Sequence, residues 1–200
     1  AGEMKYEKYC NRLKYIAQDF GKYSPEECDK GLKGKDIWDT SRVNILCDIV
    51  DMPIEDNTID AVLCSEVFEH LKNPVLALKE FSRVIKPGGI LLLTAPFSSM
   101  VHMAPYHFAS GFSEFWYYEH MKDYGFEIKE IKPYGNYFKW ISQELFRTNE
   151  MAARYCSGEL NRSDIKTITD CIKLMSRLSM EDRESDSALC FGYLVEGRKL

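Results

Sequence analysis

The chain of 200 residues is 45% hydrophobic and carries a formal net charge of -5, with a pI near 5.5. A chain of this length can bury one sizeable core but leaves no room for a second full domain. The acidic balance argues against a broad nucleic-acid or anionic-membrane surface, which would need clustered Lys and Arg. We therefore expect a single domain over residues 1–200 and no nucleic-acid partner.

The seven cysteines form no C-x-x-C pair and lie mostly inside or beside apolar runs, as Cys47, Cys64 and Cys190 do. This usage is typical of small buried side chains in a reducing compartment and not of a disulfide framework. The sequence has no apolar run long enough to span a bilayer and no amino-terminal signal pattern. We expect a cytoplasmic protein with no membrane partner.

Short apolar runs alternate with helical patterns along the chain, which predicts an α/β fold. Strands are expected over Lys14–Gln18, Ile45–Cys47, Ile59–Leu63, Ile90–Thr94, Phe126–Ile131 and Leu189–Glu196. Helices are expected from Pro74 to just before Pro87-Gly88-Gly89, over Phe112–Tyr124 and over Ser163–Leu178. The segment at about 134–187, between the last two strands, is predicted to be a helical insertion.

Polar or small residues follow three of the predicted strands, where a parallel sheet forms its ligand crevice. Asp19 follows the first of them, with Phe20 beside it, and an acidic side chain there can accept two hydrogen bonds from ribose hydroxyls. Asp48 and Ile49 would contact an adenine, the first by hydrogen bonding and the second by packing, and Cys64 ends the next strand. The alternative for the aspartates is a surface-loop or turn-capping role.

Four blocks of sequence, taken in order, carry a resemblance to a known family: Tyr15-Ile-Ala-Gln-Asp19, Cys47-Asp48-Ile49, Glu66-Val-Phe-Glu-His70 and Lys86-Pro-Gly-Gly89. They resemble the class I S-adenosylmethionine-dependent methyltransferases, in the branch that methylates small molecules and biosynthetic intermediates. The resemblance is dense from Lys14 to about Ile131. It implies S-adenosylmethionine as cofactor and a doubly wound, mostly parallel, seven-stranded Rossmann-like sheet with helices on both faces.

The start of the chain, Ala1-Gly2-Glu3, resembles the tail of the first glycine-rich loop of this family. The apolar strand that precedes that loop in the family is absent from the sequence. Because this strand lies in the middle of the sheet, we expect a gap between the strands on either side of it, and we expect the 200 residues to be an excerpt of a longer protein. The resemblance assigns Ala1 and Gly2 to the cofactor site, where a side chain at Gly2 would clash with the amino-acid part of the cofactor.

Glu66, Glu69 and His70 have the spacing of one helix face, and two carboxylates with an imidazole can hold a divalent cation. They resemble the metal site of ubiquinone-pathway O-methyltransferases and of small-RNA 2'-O-methyltransferases, and that resemblance would add His102 or His107 as a fourth ligand. Alternatively, His70 packs near the cofactor while the glutamates cap or face solvent. We expect this second arrangement, with no bound metal and with activity that survives chelation.

The segment Pro96–Phe108 follows a strand and combines polar tips with apolar groups, as loops that meet a substrate do. Methyl transfer from a sulfonium is an in-line displacement, which needs a base only when the acceptor is a hydroxyl or a protonated amine. His102 and His107 are the candidate catalytic bases, and Tyr106 is a candidate for orienting the acceptor. The alternative for the histidines is a hydrogen-bonding role in a lid.

We predict that the protein transfers a methyl group from S-adenosylmethionine to a small-molecule or glycan-linked acceptor, at oxygen. The alternatives are another nucleotide-dependent α/β enzyme, such as a dehydrogenase, and a binding domain that keeps the fold without turnover. The absence of a nicotinamide-type G-x-G-x-x-G pattern from the sequence disfavours the dehydrogenase. Six aromatic residues are expected to form partly core and partly a lid over the acceptor: Phe108, Phe112, Phe115, Trp116, Tyr117 and Tyr118.

Overall fold

The computed structural model describes residues 4–24, 30–32 and 39–200. The strands within these ranges are β1 (Gln18–Asp19), β2 (Ile45–Leu46), β3 (Ile59–Ser65), β4 (Ile85–Pro96), β5 (Phe126–Tyr134) and β6 (Gly192–Lys199). The α-helices are α1 (Pro74–Val84), α2 (Glu114–Asp123), α3 (Tyr137–Tyr155) and α4 (Arg162–Glu181). Single 3-10 turns occur at Glu7–Tyr9, Phe68–His70 and Ser185–Ser187. The predicted α/β class is confirmed.

The strands form two sheets, one with β1 and β2 in parallel and one with the order β3-β4-β6-β5. In the larger sheet β3 and β4 are parallel, and β6 is antiparallel to both β4 and β5. Among the described residues no strand pairing joins the two sheets. Because β3 and β4 are parallel neighbours, with Ser65 opposite Thr94, the segments that follow them leave the sheet side by side.

Strands β1 and β2 are shorter than the sequence predicts, with two residues each. Their pairing is limited to Gln18 with Ile45 and Asp19 with Leu46. The side-chain amide of Gln18 donates to the Cys47 carbonyl at 2.7 Å and extends the contact by one residue. The sequence predicted a longer strand over Lys14–Gln18 because an apolar pattern indicates which side chains can be buried. It does not indicate which backbone groups find a hydrogen-bond partner on a neighbouring strand.

Strand β4 begins at Ile85, directly after α1, so that Pro87-Gly88-Gly89 lies inside the strand. This corrects the prediction that these residues separate the helix from the strand. Ile85 already pairs with Ile59 of β3, and an irregularity in the register between Ile59 and Ala61 accommodates the additional residues. Strand β6 begins and ends three residues later than the predicted strand Leu189–Glu196. In this position it pairs with β5 from Phe126 to Tyr134.

The core lies between the larger sheet and the helices α1 and α2. Leu78, Phe81 and Val84 of α1 are fully or almost fully buried, as are Leu91 and Leu93 of β4. The helices α3 and α4 lie in the segment predicted as an insertion and pack against each other. Side chains at helical spacing predicted α1 and α4 to within a few residues, because amphipathic helices carry a strong periodic signal.

The six cysteines within the described ranges are all free thiols. None of the described helices has both the length and the apolar character that crossing a bilayer would require.

Candidate functional site

The ends of β1 and β2 hold two of the predicted cofactor residues close together. Asp19 is 9% exposed, and its Oδ1 accepts a hydrogen bond from the Gly21 amide at 2.9 Å. The Cys47 amide donates to the Asp19 carbonyl at 3.0 Å, so the chain leaving β2 runs beside Asp19. Asp48 is exposed, and its Oδ1 accepts from the Val50 amide at 3.2 Å. Asp48 therefore makes the turn-capping contact that the sequence offered as the alternative to cofactor binding. Its carboxylate is still exposed to solvent.

The apolar cofactor candidates differ in how far they can reach a ligand. Phe20 is 38% exposed, and its ring meets that of Tyr106 edge-on, with centroids 5.7 Å apart. Ile49 and Cys64 are buried in the core cluster, where burial raises the pKa of the Cys64 thiol. Two further candidates lie outside the described residues: Ala1 and Gly2.

These residues fit a nucleoside cofactor. Two carboxylates, Asp19 and Asp48, follow neighbouring parallel strands, and the ribose hydroxyls and the adenine amine of such a cofactor are hydrogen-bond donors. The half-exposed ring of Phe20 offers an apolar surface beside Asp19. Its contact with Tyr106 connects this edge to the β4-α2 loop, residues 97–113.

Three of the four histidines in the sequence converge where β3 and β4 end. His70 closes the 3-10 turn after β3, and His102 and His107 lie in the β4-α2 loop. Each histidine offers one ring nitrogen, and the three nitrogens lie within 4.8 Å of one another. The ring of His102 is central, with its centroid 4.7 Å from that of His70 and 4.9 Å from that of His107. We call these three side chains the histidine cluster.

The Glu69 carboxylate lies against the histidine cluster and is fully buried. Its Oε1 is 3.6 Å from His70 Nε2 and 3.7 Å from His102 Nε2, and neither carboxylate oxygen has a hydrogen-bond partner within the described ranges. The Glu69 carbonyl accepts hydrogen bonds from the amides of Phe108, at 2.8 Å, and Ala109, at 3.2 Å, which hold the loop over this side chain. A buried carboxylate without hydrogen bonds is costly, so this arrangement calls for a neighbouring positive charge.

The histidines of the cluster differ in their tendency to take up a proton. Burial lowers the pKa of His70, and burial together with the other two imidazoles lowers the pKa of His107. The pKa of His102 is raised, chiefly by its interaction with Glu69. His102 is therefore the imidazole of the cluster that is most easily protonated.

Glu66 lies outside the 3-10 turn that carries Glu69 and His70, because only Phe68–His70 is helical and Glu66 has a φ of 52°. The prediction that Glu66, Glu69 and His70 share a helix face is therefore wrong. The carboxylate of Glu66 accepts a hydrogen bond from Tyr134 Oη at 3.0 Å, and desolvation raises its pKa although the residue is exposed. Tyr134 was not predicted as a site residue, and no local pattern marks it, because it reaches Glu66 from the end of β5.

The six aromatic residues near the loop divide between core and surface. Phe112 and Trp116 contact the buried ring of Phe68, and Tyr117 is fully buried. The remaining three are exposed: Phe108 at 45%, Phe115 at 74% and Tyr118 at 51%. Only this second group can contribute to a lid over an acceptor.

Comparison with known proteins locates the family signal in the first half of the chain. Residues 5–93 match a family model described as a methyltransferase domain. An uncharacterized methyltransferase of Schizosaccharomyces pombe is 33% identical over 92 residues, which cover 37% of this chain and 33% of that protein. Cycloartenol-C-24-methyltransferase 1 of Oryza sativa subsp. japonica is 41% identical over 61 residues, which cover 28% of this chain and 18% of that protein. The chain thus spans a third or less of the length of these relatives.

Among solved structures, the [4+2]-cyclase SpnF superposes with a TM-score of 0.44 at 19% identity, over 80% of this chain and 57% of its own. Phosphoethanolamine N-methyltransferase 2 of Haemonchus contortus, in complex with S-adenosyl-L-methionine, gives a TM-score of 0.42 at 18% identity, over 79% and 37% of the two chains. The segment matched by the family model includes Asp19, Asp48 and the Glu66–His70 block. Residues 5–93 of the chain are therefore similar to a methyltransferase domain, and all four sequence blocks that carry the predicted resemblance lie within that segment.

Proposed function

We propose that the protein transfers a methyl group from S-adenosylmethionine to a hydroxyl oxygen of a small-molecule or glycan-linked acceptor. The observation that carries this proposal is the contact of Phe20 with Tyr106. It joins the edge that holds Asp19 and Asp48 to the loop that holds the histidine cluster. A cofactor bound along the first surface would have its reactive methyl group near the second.

The cofactor supplies an electrophilic methyl group, and the chain has to bind, orient and shield the two reactants. In this proposal Asp19 binds the ribose hydroxyls and Asp48 the adenine amine. The β4-α2 loop contacts the acceptor, with the exposed ring of Phe108 as an apolar surface for it. A hydroxyl acceptor is favoured because it must lose a proton, and the loop brings titratable groups to the site.

Of the three residues predicted to be catalytic, His102 is the best candidate for the base. Its Nδ1 is held by the Met100 carbonyl at 2.9 Å, and Glu69 beside its Nε2 favours the protonated form. Both ring nitrogens of His107 are buried, which makes direct contact with an acceptor harder. Tyr106 has a positioning role in this scheme, since its carbonyl contacts His70 and its ring contacts Phe20.

Cofactor binding is tested by calorimetric titration with S-adenosylmethionine and, separately, with NAD. We expect binding of S-adenosylmethionine only, and we expect Asp19→Ala to weaken it by about 1 to 3 kcal/mol, because the ribose loses a charged acceptor. Asp123→Ala, at the exposed end of α2, serves as the matched control. Equal affinities for wild type and Asp19→Ala would remove Asp19 from the site, and binding of NAD instead would favour the dehydrogenase alternative.

Turnover is tested by incubating the protein with methyl-labelled S-adenosylmethionine and a panel of hydroxyl-bearing metabolites and glycans. We expect label on an acceptor oxygen, together with release of S-adenosylhomocysteine. Label on nitrogen or carbon would contradict the proposed acceptor atom. Binding of the cofactor with no transfer to any member of the panel would favour the non-catalytic binding domain.

A further inference from the structure

We propose that Tyr134 holds the carboxylate of Glu66 at the carboxyl ends of the strands, where this carboxylate stabilises the positive sulfonium of S-adenosylmethionine. The proposal rests on the proposed function, in which the cofactor extends from the ends of β1 and β2 toward the β4-α2 loop. It adds a positioning residue, because Tyr134 lies outside residues 5–93, the segment that matches the methyltransferase model.

The first argument is the backbone of Glu66. This residue is the first after β3, and its φ of 52° lies in the left-handed region, which residues other than glycine rarely adopt. Its amide still donates to the Thr94 carbonyl at 2.9 Å, so the residue continues the contact of β3 with β4. Unfavourable backbone conformations persist where surrounding contacts fix them, and they are concentrated at functional sites.

The second argument is the contact that fixes the Glu66 side chain. Tyr134 ends β5, and its hydroxyl donates to Glu66 Oε1 at 3.0 Å. Strands β4 and β6 lie between β3 and β5, so the tyrosine reaches across two strands. Gly192 of β6 leaves room for it, since a Cβ atom there would lie 2.5 Å from Tyr134 Oη. The hydrogen bond thus depends on a glycine in a third strand and is not a chance contact between neighbouring side chains.

The third argument is the charge of the Glu66 carboxylate. Within the described ranges no lysine or arginine forms an ion pair with Glu66, and Tyr134 supplies a hydrogen bond but no positive charge. Desolvation raises the pKa of Glu66, so the carboxylate has lost part of its hydration. Because charges interact more strongly away from bulk water, such a carboxylate gains more from a neighbouring cation than a fully hydrated one does.

The fourth argument is the relation of Glu66 to the reacting atoms. Its carboxylate interacts electrostatically with His102, the candidate base. In an in-line methyl transfer the reacting atoms approach to about 3 to 3.5 Å, and the base lies within hydrogen-bond reach of the acceptor oxygen. The sulfonium and the base therefore flank the same oxygen, and a carboxylate that acts on His102 also acts on the sulfur.

The charge on sulfur distinguishes the reactant from the product of the transfer. S-adenosylmethionine carries a sulfonium, whereas S-adenosylhomocysteine carries a neutral thioether, because the electron pair of the broken carbon-sulfur bond stays on sulfur. A carboxylate beside the sulfur therefore stabilises the bound reactant and not the bound product. We expect Glu66 to favour replacement of the spent cofactor by a new one. The ammonium and carboxylate groups are the same in both molecules, so a comparison of the two isolates the sulfur.

The test is calorimetric titration of Glu66→Gln with S-adenosylmethionine and, separately, with S-adenosylhomocysteine. Glutamine keeps the size of the side chain and still accepts from Tyr134, but it carries no charge. We expect binding of S-adenosylmethionine to weaken by about 5- to 20-fold and binding of S-adenosylhomocysteine by less than about 2-fold, since only the first is charged at sulfur. Glu130→Gln, at an exposed position of β5, is the matched control and should leave both affinities unchanged.

Tyr134→Phe tests the positioning role, because it removes the hydroxyl and keeps the ring. We expect the preference for S-adenosylmethionine over S-adenosylhomocysteine to fall by about 2- to 5-fold, since the carboxylate is no longer held toward the sulfur. In the Glu66→Gln background the same substitution should leave this preference unchanged, because residues that act as a unit are not additive. A hydrogen bond with a merely structural role would weaken both ligands alike. Tyr118→Phe, at an exposed position of α2, is the control.

The proposal is overturned if folded Glu66→Gln loses affinity for both ligands by the same factor, or for neither. Equal losses would assign the carboxylate to a group that the two ligands share, such as the ammonium. Should circular dichroism show that Glu66→Gln does not fold, Tyr134→Phe gives the same measurement, and an unchanged preference there overturns the proposal.

Failure of this proposal can be told apart from failure of the proposed function. Wild-type protein that binds both ligands with no dependence on Glu66 would refute the sulfonium contact alone. Wild-type protein that binds neither ligand would refute the cofactor assignment, and this proposal with it.

Discussion

Glu80 shows how one buried carboxylate organises a turn. The residue is 7% exposed, and its Oε1 accepts hydrogen bonds from the Met52 amide and from Arg83 Nη2, both at 2.7 Å. Arg83 also donates to the Ile54 carbonyl at 2.6 Å. The pair therefore attaches the turn before β3 to helix α1. The hydrogen bond from Arg83 is the main reason that the pKa of Glu80 is lowered.

We predict that Glu80→Gln lowers the free energy of unfolding by about 1 to 3 kcal/mol at pH 7, because hydrogen bonds to a charged group are lost. The effect depends on pH. The folded-state pKa of Glu80 lies below its unfolded value, so the stabilisation is complete above the unfolded pKa, near 4.3, and is lost as the pH falls through the folded pKa. Urea unfolding of both proteins between pH 7 and pH 3 measures the difference.

Asp60→Asn is the control for this prediction, because Asp60 pairs with Lys86 at 2.6 Å with its side chain 85% exposed. An exposed ion pair contributes little, so the change should be below about 1 kcal/mol. A difference between Glu80→Gln and wild type that stayed constant down to pH 3 would show that the charge of Glu80 is not what stabilises the turn.

At the residue scale, the sequence predicted positions along the chain better than it predicted contacts. Asp19 and Asp48 lie at strand ends as expected, because a polar residue that stops an apolar run is a local signal. Ile49 was expected to contact the adenine, and its side chain belongs to the core cluster. Which way a residue after a strand points depends on the packing around it, and no local pattern contains that information.

At the scale of elements, the pairing of β4 with β6 leaves no space for a side chain at Gly192. A Cβ atom there would lie 2.3 Å from the Ala95 carbonyl oxygen and 2.5 Å from Tyr134 Oη. Gly192 pairs with Pro96 on one side and with Tyr134 on the other, so neither neighbour can move without disturbing a strand. The glycine therefore sets how closely the middle strands of the sheet approach.

We predict that Gly192→Ala lowers the free energy of unfolding by about 1 to 3 kcal/mol or more, because the added methyl group forces backbone apart. Gly158→Ala is the matched control, since a Cβ at that position meets nothing within 4 Å. It should leave stability unchanged within about 1 kcal/mol. Thermal and urea unfolding of the two variants measure the contrast, and equal stabilities would contradict the close approach at Gly192.

The pairing of β3 with β4 explains which part of the histidine cluster the sequence could predict. Glu69 and His70 follow β3, and His102 and His107 follow β4, so the pairing of two adjacent parallel strands brings them together. That adjacency follows from the family resemblance, which already named either loop histidine as a possible fourth metal ligand. The burial of Glu69 and the two carbonyl contacts that fix the imidazole tautomers depend on the loop backbone, and the sequence did not predict them.

At the scale of the whole molecule, helix α3 also holds the β4-α2 loop in place. This helix follows the loop in the sequence, whereas the turn that carries Glu69 precedes it. Trp140 Nε1 donates to the Ser98 carbonyl at 3.2 Å. Arg154 Nη1 donates to the Gly31 carbonyl, and the next residue, Leu32, donates its amide to the Val101 carbonyl at 2.7 Å. The predicted insertion thus contacts the loop both directly and through residues 31–32, which makes the loop dependent on a helix far away in sequence.

We predict that Trp140→Phe speeds amide hydrogen exchange in residues 98–110 by about 2- to 10-fold, because the loop loses a hydrogen bond of about 0.5 to 1.5 kcal/mol while most of the apolar contact is kept. Exchange in β6 and affinity for S-adenosylmethionine should not change. Tyr118→Phe, on an exposed position of α2, is the control. The α3 hydrogen bonds named above go to the loop and to Gly31. Faster exchange at Asp19 or weaker cofactor binding in Trp140→Phe would therefore mean that the insertion supports the cofactor edge as well, and that the two surfaces are not independent.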